Sequence, residues 1–183
     1  MLYRLFPRDP EARSSDPGGA LYVARALQGD GRHDAPDRYG ALYLSRSPTS
    51  AVAELLRVYR RQQLTARDLL ESGRTYAFAA FDDAGLPDLV DLDEPEVLVE
   101  WALRPSMIAT RDREATQAIA VIAFEEGAPG LTWWSTIEAS WINVTLFAER
   151  VGGHLELIGE PEPIGLGHPA VREAAEAVGV LLG

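Results

Sequence analysis

The 183-residue chain contains no cysteine, which excludes disulfides, thiolate nucleophiles and cysteine-ligated zinc or iron–sulfur sites. Its three histidines, His33, His154 and His168, lie far apart and outside any HExxH or paired spacing, so no metal site is expected. No stretch approaches the roughly 18 consecutive apolar residues of a membrane span, and the opening MLYRLFPRDPEARSS lacks the continuous apolar core of a signal peptide. No membrane association and a cytoplasmic location are therefore expected. Positive charge is scarce: Lys and Arg number 17 against 28 Asp and Glu, for a net charge of −11. Such a field repels polyanions and disfavours nucleic acid as a direct ligand. A small anion remains admissible, because a pocket arginine acts locally while distant charge is screened beyond about 8 Å. GxSxG, GxxxxGK[ST] and a strand-borne GxGxxG are all missing, so hydrolase-elbow, P-loop and Rossmann readings lose their usual support.

What remains suits one ordinary globular domain over residues 1–183, with 46% hydrophobic and 25% charged residues. LYRLF and ALYLS alternate as strands do. Ser47-Pro48 supplies a capping hydroxyl before a proline at the first helical position, and the spacing predicts a helix to about Gln63. Val52, Leu55, Leu56 and Tyr59 form its apolar stripe, with Glu54 at the margin. TARDLLESG reads as a short helix ended by Gly73, TYAFAAFD and LVDLD as extended, and EPEVLVEWALR as helical. RDREATQAIAVIAFEEG predicts a helix burying Ala115, Ala118, Ile119, Ile122 and Ala123 against a sheet. GLTWWST, WINVTLF and HLELIG are β-rich, and a last helix follows Pro169. AVGVLLG at the end fits a core helix, with an interface to a partner or a second copy as the alternative. Strands outnumber good crossover helices, so the expected fold class is α+β, with a mainly antiparallel sheet core and flanking helices.

Two segments carry candidate chemistry. In Gly-Asp-Gly-Arg-His-Asp, residues 29–34, glycines permit close backbone approach and Arg32 offers a planar fork matched to phosphate. The plainer reading is a surface turn with a solvated arginine, just as Tyr43 in ALYLS reads as an ordinary strand tyrosine. Glu54 is either partly desolvated or merely paired with Arg57 at i+3. In GLTWWSTIEASWIN, adjacent tryptophans on a strand face opposite ways, so one packs inside and Ser135 returns to the face of Trp133. A base or nicotinamide ring can stack on such a surface. Glycosidic chemistry through an oxocarbenium-like transition state needs a carboxylate near the sugar, groups that fix the leaving group, and positive charge for phosphates. Arg32, Tyr43, Glu54 and Ser135 make up that set.

Read in order, Tyr3-Arg4, GRHD, ALYLS, SAVAELL, TQAIA, GLTWWS and NVTLF resemble the RES-domain family, named for its arginine, glutamate and serine, from Leu2 to about Phe147. The resemblance implies a bacterial toxin of a toxin–antitoxin pair, similar in fold to ADP-ribosyltransferases, with NAD as substrate and an Xre-type helix-turn-helix antitoxin as partner. It places the family arginine on Arg32, the strand tyrosine on Tyr43, the helical glutamate on Glu54 and the serine on Ser135. His33, Trp134 and Asn143 are expected as further NAD contacts. Two departures stand out. His33 occupies the place of the usual tryptophan or phenylalanine, and Trp-Trp-Ser replaces the more frequent Tyr-Pro-Ser. The acceptor of the ADP-ribosyl group, whether water (an NAD glycohydrolase), inorganic phosphate (an NAD phosphorylase) or a protein side chain (a mono-ADP-ribosyltransferase), is left open, as is a homodimer. A rival from another class is a non-catalytic module whose Arg57, Arg60, Arg61 and Arg67 dock an acidic partner.

Overall fold

The alternation of LYRLFP, ALYLS and INVTLF puts apolar side chains on one face and mixed ones on the other, and a sheet built from them has two unlike sides. The computed structural model describes residues 1–183. Its elements are β1 (Leu2–Pro7), β2 (Ala41–Ser45), α1 (Pro48–Leu56), β3 (Gln63–Leu64), β4 (Leu70–Glu71), β5 (Arg74–Asp82) and β6 (Val90–Asp91). There follow α2 (Pro95–Glu100), α3 (Pro105–Ile108), α4 (Arg113–Glu125), β7 (Gly130–Trp134), β8 (Ile142–Phe147), α5 (Ala148–Val151), β9 (Glu156–Pro163), α6 (Pro169–Val178) and β10 (Leu181–Leu182). The main sheet runs β4-β5-β1-β2-β8-β7-β6, with β9 paired to β5, and only the β6–β7 pair is parallel. This is the α+β architecture expected, with helices grouped on a mostly antiparallel sheet.

One face of the sheet carries Leu2, Phe6, Leu42, Leu44, Ala77, Phe81, Val144 and Leu146, sealed by Val151 and Leu155. The other face carries two separate apolar clusters. Val52, Ala53 and Leu56 of α1 pack on Val171, Ala174 and Ala175 of α6. Ile119, Ala120 and Ala123 of α4 pack on Ala41, Leu131 and Phe147. Between them the strands present polar residues. Ser45, Asn143 and Trp133 share one cross-strand row, and Tyr43 and Thr145 lie in the next on the same face. Ser45, Asn143 and Thr145 are all buried, so a polar strip runs under the gap between two helical clusters.

Several elements differ from their sequence-based bounds. The first helix stops at Leu56, and a single 3-10 turn carries the chain to Tyr59. Arg61 then takes a φ of +64°, its N–H donates to the Gly179 carbonyl, and Gln63–Leu64 pairs in parallel with β10. That pairing draws out residues whose propensity alone continues the helix. TARDLLESG is a 3-10 turn leading into the β4–β5 hairpin. α4 buries Thr116, Ile119, Ala120 and Ala123 while Ala118 and Ile122 are exposed. The rotation away from the apolar stripe follows from Thr116, whose hydroxyl donates to the Arg32 carbonyl at 2.6 Å. AVGVLLG is not one helix: α6 ends at Val178, Gly179 takes a left-handed φ of +74°, and β10 follows.

Candidate active site

The loop Gly29–Asp34 is fastened from inside by a carboxylate. Asp34 is 6% exposed; its Oδ2 accepts from the N–H groups of Gly29 at 2.8 Å and Gly31 at 2.7 Å. Its Oδ1 accepts from the Tyr43 hydroxyl at 2.7 Å. A side chain at Gly31 has no room, since its Cβ would lie 2.4 Å from Asp34 Oδ1. From α4, Gln117 Nε2 donates to the carbonyls of Gly29 and Gly31, both at 2.9 Å. The Tyr43 hydroxyl in turn accepts from the His33 N–H at 2.8 Å. Tyr43 has spent its one proton on Asp34, so toward a ligand it offers a ring and a lone pair, never a donor. Burial and the bond to Asp34 push its hydroxyl pKa far up.

This clamp aims Arg32 into the gap. The residue is 7% exposed, Nη1 donates to the Ile108 carbonyl at 2.7 Å, and the guanidinium lies over the Trp133 ring at 4.7 Å. Burial first, then repulsion from Arg113, lowers its pKa to about 10, so it stays charged at neutral pH. His33 is 2% exposed, with Nδ1 2.8 Å from Thr145 Oγ1 and its ring edge-on to Trp133. Burial, with Arg32 and Arg113 adding to it, holds the imidazole well below its usual pKa. It is a neutral packing group under the loop and does not line the cavity.

Across the gap, α1 presents Glu54. Ser47 caps the helix by accepting from the Ser50 N–H, and Ser50 Oγ donates to Asn143 Oδ1 at 2.9 Å. Asn143 Nδ2 and Ser135 Oγ then donate to Glu54 Oε1 at 3.3 and 3.2 Å. Glu54 Oε2 pairs with Arg57 Nε at 3.4 Å, and the glutamate side chain is 30% exposed. One carboxylate oxygen is thus held by Ser135 and Asn143 while the other is paired with Arg57. Ser135, 2% exposed, acts through Glu54 and accepts from the Ile137 N–H at 3.1 Å.

Arg32, Tyr43, Glu54 and Asn143 all line one cavity of about 380 Å³. Trp134 does not, and Trp133 does: with Ser135 returning to the face of Trp133, strand alternation turns Trp134 to the other side. Trp133, and not the expected Trp134, is therefore the ring that lines the cavity. Arg113, Glu71 and Tyr76 also line the cavity and had no signal of their own in the sequence, since each comes from an element far along the chain. Thr116 and Gln117 lie in TQAIA, whose polar pair inside an apolar helix face was the available clue. Arg57 and Arg60 line a second groove beside this cavity, whereas Arg61 and Arg67 do not.

The model of the RES domain family matches residues 1–164. Among solved structures, the chain is similar to one in the crystal structure of the M. tuberculosis MbcT–MbcA toxin–antitoxin complex, with a TM-score of 0.59 and 21% identity over 89% of this chain and 82% of that one. At that identity the likeness is one of fold. No curated protein matches.

Proposed function

The chain belongs to the RES-domain family, and from that premise we propose that it is the toxin of a toxin–antitoxin pair and consumes NAD by breaking the bond between nicotinamide and ribose. The observation that carries this reading is the Glu54 carboxylate, oriented by Ser135 and Asn143, in a cavity that also holds the Trp133-stacked guanidinium of Arg32. When the C1′–N bond breaks, its electron pair goes to the nicotinamide nitrogen, which leaves neutral, and positive charge develops on the ribose. A fixed carboxylate stabilises that charge without reorganising. Arg32 binds phosphate oxygens, and Tyr43 packs against nicotinamide or its ribose.

The nucleophile that completes the reaction at C1′ is water, which loses a proton, or inorganic phosphate, which yields a glycosyl phosphate. Transfer to a protein side chain is the alternative. The partner is an Xre-type helix-turn-helix antitoxin, a reading that accords with the fold likeness to a chain of a toxin–antitoxin complex. The test is to incubate the chain, free of any antitoxin, with NAD and to measure released nicotinamide with and without phosphate. Release is expected; a folded chain that frees none is a binding module, and the proposal fails.

A further inference from the structure

A second groove of about 520 Å³ meets the Glu54 cavity at Arg32, Arg57 and Arg113, which line both. Arg60 and Arg111 add to it, so five of its ten lining residues are arginines and none is acidic. That concentration is unusual in a chain with net charge −11. It is also uncompensated: no ion pair of the molecule involves Arg32, Arg60, Arg111 or Arg113. Arg113 Nη1 is buried and has no hydrogen-bond partner, and such an orphaned donor costs stability unless a ligand satisfies it. Like charges held together at the junction of two cavities are relieved by an anion between them.

The first cavity, at about 380 Å³, lies near the lower end of the roughly 300–1,000 Å³ of drug-sized ligand pockets. A dinucleotide needs more space than that. We infer that the arginine groove is a diphosphate seat, so that the dinucleotide spans both cavities, with its nicotinamide riboside end beside Glu54 and its diphosphate held at Arg113, Arg60 and Arg111. This inference rests on the proposed function for the identity of the whole ligand. The seat itself is defined by its arginines, four of which are in no ion pair.

The experiment titrates ADP, and separately nicotinamide riboside, into the wild-type chain and into Arg60→Ala/Arg111→Ala by calorimetry. Both arginines are exposed and neither is in an ion pair, so the double variant keeps its fold, which its melting temperature verifies. ADP should bind the wild type and lose about tenfold or more in affinity in the variant, because each guanidinium supplies charge-assisted bonds to phosphate. Nicotinamide riboside, which has no phosphate, should bind both alike. Arg60→Lys/Arg111→Lys should recover part of the ADP affinity, with charge retained and the forked geometry lost. Equal ADP affinity in wild type and Ala variant, or no ADP binding at all, overturns the seat. If NAD is nonetheless cleaved, the proposed function survives that failure. Arginine-dependent ADP binding by a chain that releases no nicotinamide upholds the seat and overturns the NAD-cleaving reading.

Discussion

A carboxylate that only stabilises charge and one that also holds the fold predict different consequences for the same substitution. In Glu54→Gln, the amide oxygen can still accept from Ser135 and Asn143, and the half-exposed pair with Arg57 contributes little to stability. The variant should therefore melt within a degree or two of wild type yet cleave NAD about 150-fold more slowly, a loss of about 3 kcal/mol in transition-state stabilisation. An unchanged rate of nicotinamide release from the folded variant removes Glu54 from the chemistry. His33 predicts a pH effect instead. The unfolded chain takes up a proton on this residue near its ordinary pKa of about 6.5, whereas burial beside Arg32 and Arg113 keeps the folded imidazole neutral well below that. The folded state binds fewer protons, so stability falls as pH drops below about 6.5, with a slope near 1.4 kcal/mol per unit. Denaturation of wild type and His33→Gln from pH 7.5 to 5 should show the gap between them narrowing in that window; parallel curves would contradict the buried neutral imidazole. Arg32, Tyr43 and Glu54 each have a plainer local reading, and it is their order beside Ser135 along the RES-like pattern that makes them legible as a set. Asp34 was visible as a letter in GRHD, but its three accepted hydrogen bonds arise only when the loop closes on a strand.

At the level of elements, the site depends on how a loop, a helix end and two strands are tied together. The loop is the sensitive part. Gly31→Ala puts a methyl 2.4 Å from the Asp34 carboxylate, whereas a Cβ at Gly29 meets nothing within 4 Å. Breaking the Asp34 bonds to backbone N–H groups and to Tyr43 leaves buried polar groups unmatched, at a cost of about 1–3 kcal/mol. Gly31→Ala should lower the unfolding free energy obtained from chemical denaturation by that amount and raise KM for NAD, while Gly29→Ala should alter neither. Equal effects from both glycines would mean that the loop, not Asp34, sets the position of Arg32. Elements whose own pattern decides their form, such as the Ser47-Pro48 helix start and the strands ALYLS and INVTLF, were readable in advance. The C-terminal end of α1 and the rotation of α4 were not, because each is decided by a partner distant in sequence: Gly179 and β10 for the first, Arg32 for the second.

Across the whole molecule, the two faces of the sheet should differ in what their packing controls. The cavity lies on the face where the α1/α6 and α4 clusters stand apart, while the cluster with Leu155 fills the opposite face. Leu56 is fully buried and sits two residues from Glu54 on α1, so shortening it leaves a void that lets the helix settle toward α6. Leu155 is 9% exposed and packs with Val151 behind the sheet. Both Leu56→Ala and Leu155→Ala remove a buried isobutyl group, at about 2–5 kcal/mol for a fully buried leucine and toward the low end at Leu155. Active sites tolerate little misplacement, since about 1 Å costs on the order of a hundredfold in rate. Leu56→Ala should therefore reduce kcat per folded molecule, measured at a temperature where circular dichroism shows the variant fully folded, and Leu155→Ala should not. A fall in kcat of the same size in both variants would show that the sheet transmits strain from either face, and that Glu54 is positioned by the whole core and not by the seat of its own helix.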